Sequence, residues 1–449
     1  MSTNGHNRVV IVGGGFAGLA AGVALAEAGY QVELLERRAA LGGRAYSFID
    51  QASGEVIDNG QHLFMGCYHE TFKFLRKLGT DHLVRLQSRP RVDFLDSEGR
   101  HSSLDCPNLP PPLHLLAGLM RMRGISLGEK LSAIRVSTAL QARGARLKAR
   151  LGRLTVDEWL NQCGQSQQIK DRFWDMLSIA TLNLSPERAA AILLARVLQQ
   201  GFAGTRTDSC MVTASVGLSE LYTEQARAFI EARGGLVRLR TPVKRLLIEG
   251  GRCMGVETAT GEIVTASYCI SAVPYFALAR LLPEELFANP YFAACRNFES
   301  SPIVSINLWF DRPVTEFGFV GLVKGRIHWL FNKDVIFRRS GKDDHLISCV
   351  ISAADSYRSA TREELVALAM EDLARFLPDI HQARLLRSLV VKEQHATFCA
   401  TVEAEEQRPD YRTPIENLLL AGDWTNTGLP ATIEGAVLSG HKCAEMICG

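Results

Sequence analysis

Apolar and polar positions follow several different periods along this chain, and each change of period marks an element. Residues 8–36 pass from the apolar run "RVVIV" through the turn "GGG" into a small-residue helical stretch, from about Phe16 to Ala28, that Gly29 ends. A second apolar run, "QVELLE", follows, so the order is β-α-β. "HETFKFLRKLG" has helical spacing and stops at Gly79; the pattern is helical again from about Pro107 to Leu160 and through "DRFWDMLSIATLNLSPERAAAILLARVLQQGF". From Gly235 the period falls to two, and three short strands joined by the turns "EGG" and "TGE" read as an antiparallel meander. Residues 300–400 mix strands ("PIVSINLWF", "HLISCVIS") with one amphipathic helix, "REELVALAMEDLARFL". The chain closes on the buried-looking strand "NLLLAGDW" and a helix from about Ala431.

Composition narrows this picture. At 449 residues and 47% hydrophobic the chain is long enough for two or three domains with real cores. A net charge of +2 excludes the strongly basic balance of a nucleic-acid binder. Eleven scattered cysteines without a CxxC pair point away from a disulfide framework or a cysteine-bound metal and toward a reducing compartment. The uncharged stretch from Val9 to Ala26 has the length of a membrane span, but five glycines break it into strand, turn and helix.

Three motifs carry chemistry. In "VGGGFAGLAAG", Gly13 makes the strand-to-helix turn, Gly15 lets a pyrophosphate approach the backbone and Gly18 lets the helix pack closely, while Phe16 and Ala17 open a helix whose N-terminus faces the anion. Glu36 ends the next strand at the distance where an acid accepts hydrogen bonds from a ribose. These residues alone do not separate NAD from FAD. In "ERRAALGGRAYSF", Arg37, the pair Gly42–Gly43 and Arg44 offer donors and cations where a second phosphate would lie. The third motif is "NLLLAGDWTNTGLPATIEGAVLSG" near the C-terminus. Together they resemble the flavin signatures of the amine oxidase and carotenoid desaturase flavoproteins. The resemblance implies FAD, with Gly422 and Asp423 at the ribityl chain or a phosphate. It also implies Pro430, Ala431, Thr432 and Ile433 near the flavin N1 and O2, and Val243 beside the adenine. The implied fold is α/β (α+β mixed), a discontinuous Rossmann-like FAD-binding domain with an inserted helical-plus-sheet substrate domain. The expected boundaries are 1–85, 216–275 and 409–449 for the FAD-binding parts, 86–215 for a helical, membrane-facing region and 276–408 for the substrate sheet.

The stretch "DNGQHLFMGCY", residues 58–68, admits several readings. His62, Cys67 and His69 lack the regular spacing of a metal site, so no metal is expected, and the proximity of Cys67 to His62 is weak ground for a nucleophilic dyad. In the family such a stretch runs beside the flavin, which makes Gly60, Gln61 and His62 cofactor contacts and His62, Asp58 and Tyr68 candidate acids. His62 also reads as a hydrogen-bonded core histidine.

Within the superfamily the chain resembles the hydroxysqualene dehydroxylases. That resemblance implies reduction of the isoprenoid lipid hydroxysqualene to squalene, in squalene and hopanoid synthesis. The cofactor would be re-reduced by an external electron donor, since no second GxGxxG occurs. Trp309, Trp329 and Phe331 are expected along the substrate tunnel. Between Leu113 and Arg153 nine basic residues face a single acid, Glu129, beside the apolar "PNLPPPLHLLAGLMRMRG". This pattern implies peripheral membrane contact, on the inner face of the cytoplasmic membrane. The same fold also serves polyene desaturases, amine oxidases and lipid-escort proteins without flavin chemistry.

Overall fold

Parallel strands buried on both faces read as unbroken apolar runs, and three separated stretches supply such runs to one sheet. The computed structural model describes residues 7–202, 204–339 and 341–449. β1 (Arg8–Val12) lies between β2 (Gln31–Leu35) and the strand Tyr268–Ser271; Leu236–Arg238 and Leu418–Leu420 form the edges, and all five strands are parallel. Side-chain alternation divides β1 between two cores. Val9 and Ile11 pack under α1 (Phe16–Glu27), the helix Leu218–Glu231 and the C-terminal helix Ile433–Cys448. Val10 and Val12 pack toward the three-stranded meander Val243–Glu249, Arg252–Thr258 and Ile263–Thr265.

Close approach of α1 to its neighbours explains its small residues. A Cβ on Gly18 would sit 2.0 Å from the Gly13 carbonyl oxygen, and one on Gly440 of the C-terminal helix 2.2 Å from that of Ala17. The first and last helices therefore touch backbone to backbone.

The second sheet has seven strands, in the order Leu385–Phe398, Ser300–Phe310, His345–Ile351, Trp329–Asn332, Phe319–Leu322, Arg91–Leu95, His101–Asp105. One face, with Val304, Ile306, Leu308 and Phe310, is covered by the helix Arg362–Phe376. The other face looks toward the first domain. A helical layer completes the wall: α2 (His69–Leu78) belongs to the nucleotide side, while α3 (Leu113–Arg121), α4 (Leu127–Ala139) and the helices Asp175–Leu182 and Ala191–Phe202 belong to the other.

The stretch 86–215 departs from its helical expectation at both ends. It opens with the hairpin Arg91–Leu95/His101–Asp105, whose first strand pairs in parallel with Phe319–Leu322, and it ends in the strand Met211–Ala214. These strands have four or five residues, too short for their alternation to stand out beside long helical runs. No helix among the described residues is long and apolar enough to cross a membrane.

Candidate functional site

Between the two sheets lies one continuous cavity of about 750 Å³, within the range of small-molecule and cofactor sites. The strand-to-helix turn forms its floor. Gly13 has a φ of +110°, and a Cβ there would meet the Ala272 carbonyl oxygen at 2.8 Å, so the turn itself demands glycine. Gly15 differs: the nearest atom to a Cβ would be the Gly43 Cα at 3.7 Å, an ordinary contact. The polypeptide has room for a side chain at Gly15, and that room belongs to the cavity. α1 starts at Gly15 with no side-chain cap and no acid in its first turn, which leaves its N-terminal N–H groups for an anion.

Glu36, at the end of β2, is buried and already oriented: the Gly14 N–H donates to one carboxylate oxygen at 2.8 Å and the Arg38 N–H to the other at 2.8 Å. Two backbone bonds leave acceptor capacity for ribose hydroxyls. The cradle, the uncapped helix and the oriented acid fit a dinucleotide.

Opposite, the loop 422–430 folds around one buried cation. The Arg408 guanidinium donates to the carbonyl oxygens of Asp423 (2.8 Å), Leu429 (2.6 Å) and Thr425, and to the Thr427 hydroxyl (2.8 Å), while Glu405 balances its charge at 2.9 Å. Arg408 is a functional residue that sequence reasoning missed, because an isolated arginine before a proline carries no motif. Its loop delivers Pro430 and Ala431 to the cavity wall and starts the C-terminal helix, whose Thr432 side chain caps the Gly435 N–H at 3.0 Å. The positive end of that helix faces the cavity.

Arg44 and Asp423, expected as separate cofactor contacts, form an ion pair with each other. Burial disfavours the Arg44 charge, but the Asp423 carboxylate outweighs it and the guanidinium pKa is raised. Arg44 also donates to the Ala396 carbonyl oxygen at 3.2 Å, on the substrate sheet.

The stretch 58–68 is clamped at both ends. Asp58 ends the hairpin strand Val56–Asp58 and accepts from the Leu218 N–H (2.9 Å), the Ser47 hydroxyl (2.8 Å) and the buried Lys333 ammonium (3.1 Å). Asn59 bonds the Tyr46 N–H (3.2 Å) and the Arg44 carbonyl oxygen (3.0 Å), which ties this loop to the glycine pair at 42–43. Past the loop, Gly66 packs so closely that a Cβ would lie 1.9 Å from the Thr207 carbonyl oxygen. Between the clamps, Gly60, Gln61 and His62 line the cavity. A Cβ on Gly60 would find only ordinary contacts, 3.7 Å to Ser305 Oγ and 3.8 Å to His62 Nε2.

All the expected cofactor contacts line this cavity except Gly18, which packs beneath the turn instead: Gly13, Gly15, Phe16, Ala17, Glu36, Arg37, Gly42, Gly43, Arg44, Gly60, Gln61, His62, Val243, Gly422, Asp423, Pro430, Ala431, Thr432 and Ile433. The candidate acids separate. Asp58 is not on the wall; burial works against its charge, but Lys333 and the hydrogen bonds at its oxygens outweigh this and hold the carboxyl below the usual range. It is a fixed anion and not a proton donor. Burial pushes the Tyr68 phenol well above the ordinary tyrosine range, so it keeps its proton. His62 is half-buried with its Nε2 closed off and unpaired; desolvation lowers its pKa, with Asp58 opposing and Lys333 assisting. Burial pushes the Cys67 thiol up to about 12, which removes it as a nucleophile.

Trp329 and Phe331 line the cavity, but Trp309 does not. It shares a strand face with Ile303 yet lies past the cavity's end, over Ile57 and under the Arg387 guanidinium at 3.7 Å, and its Nε1–H donates to Glu55 at 3.0 Å. Sequence reasoning also missed Ala272–Pro274, the segment after the strand Tyr268–Ser271, and Glu393 and His395 on the substrate sheet. A small-residue end to a parallel strand was the available signal for the first; nothing local marks the other two. Among the described residues no cluster of His, Cys, Asp or Glu is placed to hold a metal ion.

Comparison with known proteins gives a consistent result. The family model "Flavin containing amine oxidoreductase" matches residues 16–448. The chain is 30% identical over 443 residues to a hydroxysqualene dehydroxylase of Rhodopseudomonas palustris, with 98% of each chain covered. It is 25% identical over 465 residues to a 15-cis-phytoene desaturase of Synechococcus elongatus, covering 98% of this chain and 95% of that one. Among solved structures, an oxidoreductase from Methanosarcina mazei superposes with a TM-score of 0.75 at 18% identity, covering 98% of this chain and 100% of that one. Putrescine oxidase bound to putrescine gives 0.72 at 17%, with 98% of each covered.

The two kinds of glycine predict two kinds of failure. Gly15→Ala purifies with little flavin but melts, compared as flavin-free protein, at the parent's temperature, whereas Gly18→Ala lowers the melting temperature of the flavin-free protein itself; absorbance per protein and thermal unfolding of the flavin-free forms separate the two. The buried ion pair predicts an acid limit to stability. Asp58→Asn, which leaves Lys333 charged and unpaired, costs about 3–5 kcal/mol near neutral pH, read by chemical denaturation, and adding Lys333→Met recovers much of it. Since the folded pKa of Asp58 is depressed, its contribution is present above the unfolded value near pH 3.9 and is lost as pH falls through the folded one. The Asp58→Asn protein lacks that part of the acid transition.

Proposed function

The chain belongs to the flavin containing amine oxidoreductase family, its cofactor is FAD, and from that premise we propose that it reduces the allylic alcohol hydroxysqualene to squalene. The observation that carries this reading is the apolar end of the cavity. Beyond His62 the walls are mainly apolar, with Val92, Phe94, Leu104, Leu115, Phe173, Leu177, Ile303 and Val350 beside Phe319, Trp329 and Phe331, and carry a few polar groups, Arg91, Thr181, Gln200 and Ser209, but no carboxylate among the described residues. The carboxylates lining the cavity among the described residues are Glu36, Asp423 and Glu393; the first two belong to the nucleotide segments and the third acts on the charge of Arg44. An amine needs an anionic partner in a dry pocket, and the apolar end offers none. A long hydrocarbon needs nothing else. The similarity to a hydroxysqualene dehydroxylase over 98% of both chains supports the same choice.

In the proposed reaction the allylic C–O bond breaks, the hydroxyl takes a proton and leaves as water, and a hydride takes its place on the carbon. Bound FAD in its reduced form supplies that hydride, and an external donor restores the two electrons. The chain contributes the rest. The apolar walls exclude water from the allylic cation. Phe94, Phe319, Trp329 and Phe331 form a contiguous aromatic wall, with centroids 6.2–6.5 Å apart, that packs against Leu63 next to His62. Their faces stabilise a cation by about 0.5–2 kcal/mol each where well placed. His62, at the boundary between the nucleotide segments and this wall, is the proton donor in this reading.

The phytoene desaturase relatives favour a second reading, in which hydride leaves a polyene C–H for the oxidised cofactor. Direction separates the two. Under anaerobic conditions, the chemically reduced protein mixed with hydroxysqualene turns yellow as squalene forms; if it stays reduced, while phytoene bleaches the oxidised protein, the desaturase reading stands. The lowered pKa of His62 sets the pH profile. An acid that must be protonated to act gives a turnover that rises as pH falls below about 6.5, and His62→Gln flattens that rise with normal flavin content. Were Tyr68 the donor, the profile would already be flat across this range.

A further inference from the structure

Seven of the fifteen exposed large apolar side chains among the described residues fall between positions 109 and 134. On α3 they are Leu113, Leu116 and Met120, spaced i, i+3, i+7; on α4 they are Leu127, Leu131 and Ile134, spaced i, i+4, i+7. Each set is one continuous helical stripe, and both stripes face outward. Both helices are packed on their inner sides: α3 buries His114 and Gly118, the latter with Cys106 Sγ 2.7 Å from where a Cβ would lie, and α4 buries Ala133 and Val136. The exposed stripes are thus second apolar faces on helices that already have a first, a pattern that solubility opposes.

The charge around them has one sign. Of the nine basic residues between 113 and 153, eight are exposed, and Arg121, Arg123, Arg143, Arg146, Lys148, Arg150 and Arg153 form no ion pair with a carboxylate among the described residues. The single acid of the segment, Glu129, is engaged at the surface by the Ser126 N–H at 2.9 Å, as its cap partner, and by the Ser166 hydroxyl at 2.7 Å. Leu115, one residue from the exposed Leu116, points the other way and lines the cavity beside Leu104. One turn of α3 therefore separates the exposed stripe from the apolar end of the site.

We propose that α3 and α4 dock on an anionic lipid bilayer, apolar stripes in the acyl boundary and arginines on the headgroups, so that the substrate passes from lipid to cavity along α3 without entering water. Charge complementarity selects the bilayer: a protein partner of mixed charge leaves the unpaired arginines unsatisfied, while an anionic surface attracts each of them. The substrate half of this inference rests on the isoprenoid reading above; the docking half does not.

The test uses the full-length flavin-loaded protein and sedimentation with vesicles. Expected is strong binding to phosphatidylcholine vesicles containing phosphatidylglycerol, weak binding to phosphatidylcholine alone, and release by salt. The double variant Arg121→Glu, Arg123→Glu weakens binding by roughly thirtyfold or more, and Leu127→Gln with Leu131→Gln weakens it independently, both with unchanged flavin spectra. Hydroxysqualene supplied in vesicles is then turned over more slowly by both variants, while that supplied in detergent micelles is turned over as by the parent. Failure of the parent protein to bind anionic vesicles, or equal binding by the variants, overturns the proposal. So does a parent dimer that the same substitutions convert to monomer, since the face then belongs to a second copy. If hydroxysqualene reacts in neither format while vesicle binding behaves as expected, the substrate reading falls and the docking face stands.

Discussion

The ion pair between Arg44 and Asp423 joins positions 379 apart, and the shape of the cavity follows from it. Through its carbonyl oxygen Arg44 holds Asn59, and so the loop that carries Gly60 and His62. Through its guanidinium it reaches Ala396 on the substrate sheet and Asp423 at the start of the final loop. Through its own carbonyl oxygen Asp423 is bonded to Arg408, which winds the residues up to Leu429. Three stretches of chain with no sequence proximity meet on two guanidinium groups. Each group is planar with several fixed donors, so each sets directions as well as distances; a lysine in either place would supply the charge without the angles.

This arrangement divides the cavity into two chemical environments. One end is built from backbone N–H groups, helix N-termini and paired charges, a surface that holds an anion. The other is mainly hydrocarbon and aromatic rings, with few polar groups and no carboxylate among the described residues. His62 stands at the boundary, near enough to Asp58 and Lys333 to feel both, with its Nε2 sealed from water. Near neutral pH it is an uncharged group in a place where charge is costly, so the protonated form is a minor one that grows as pH falls.

The nucleotide half of the fold was legible because its constraints are local. Gly13, Gly18 and the Glu36 at the end of β2 answer to a turn, a close contact and a strand end within thirty residues. The final helix was legible for the same reason. The hairpin Arg91–Leu95/His101–Asp105 was not, because what makes it a strand pair is its parallel neighbour Phe319–Leu322, more than two hundred positions away. Trp309 and Asp58 show the limit for side chains. Both have residue types that belong in an active site, and both are turned away from it by partners, Arg387 and Lys333, that no spacing rule could pair with them. The apolar and basic stretch at 113–153 was visible as composition, but that its outer and inner faces are both apolar required the packed helices.

The backbone contact between α1 and the helix Ile433–Cys448 has a consequence for the timing of assembly. β1 and α1 are synthesised long before the helix Ile433–Cys448, yet the face of α1 that carries Ala17 and Ala21 has no cover until that helix is made. The strand Leu418–Leu420 and the loop around Arg408 arrive equally late. Until that helix is made the chain therefore carries a half-built nucleotide site with a bare helix surface, and the cofactor can lock in only once the segments around Arg408 and the helix Ile433–Cys448 have joined the fold.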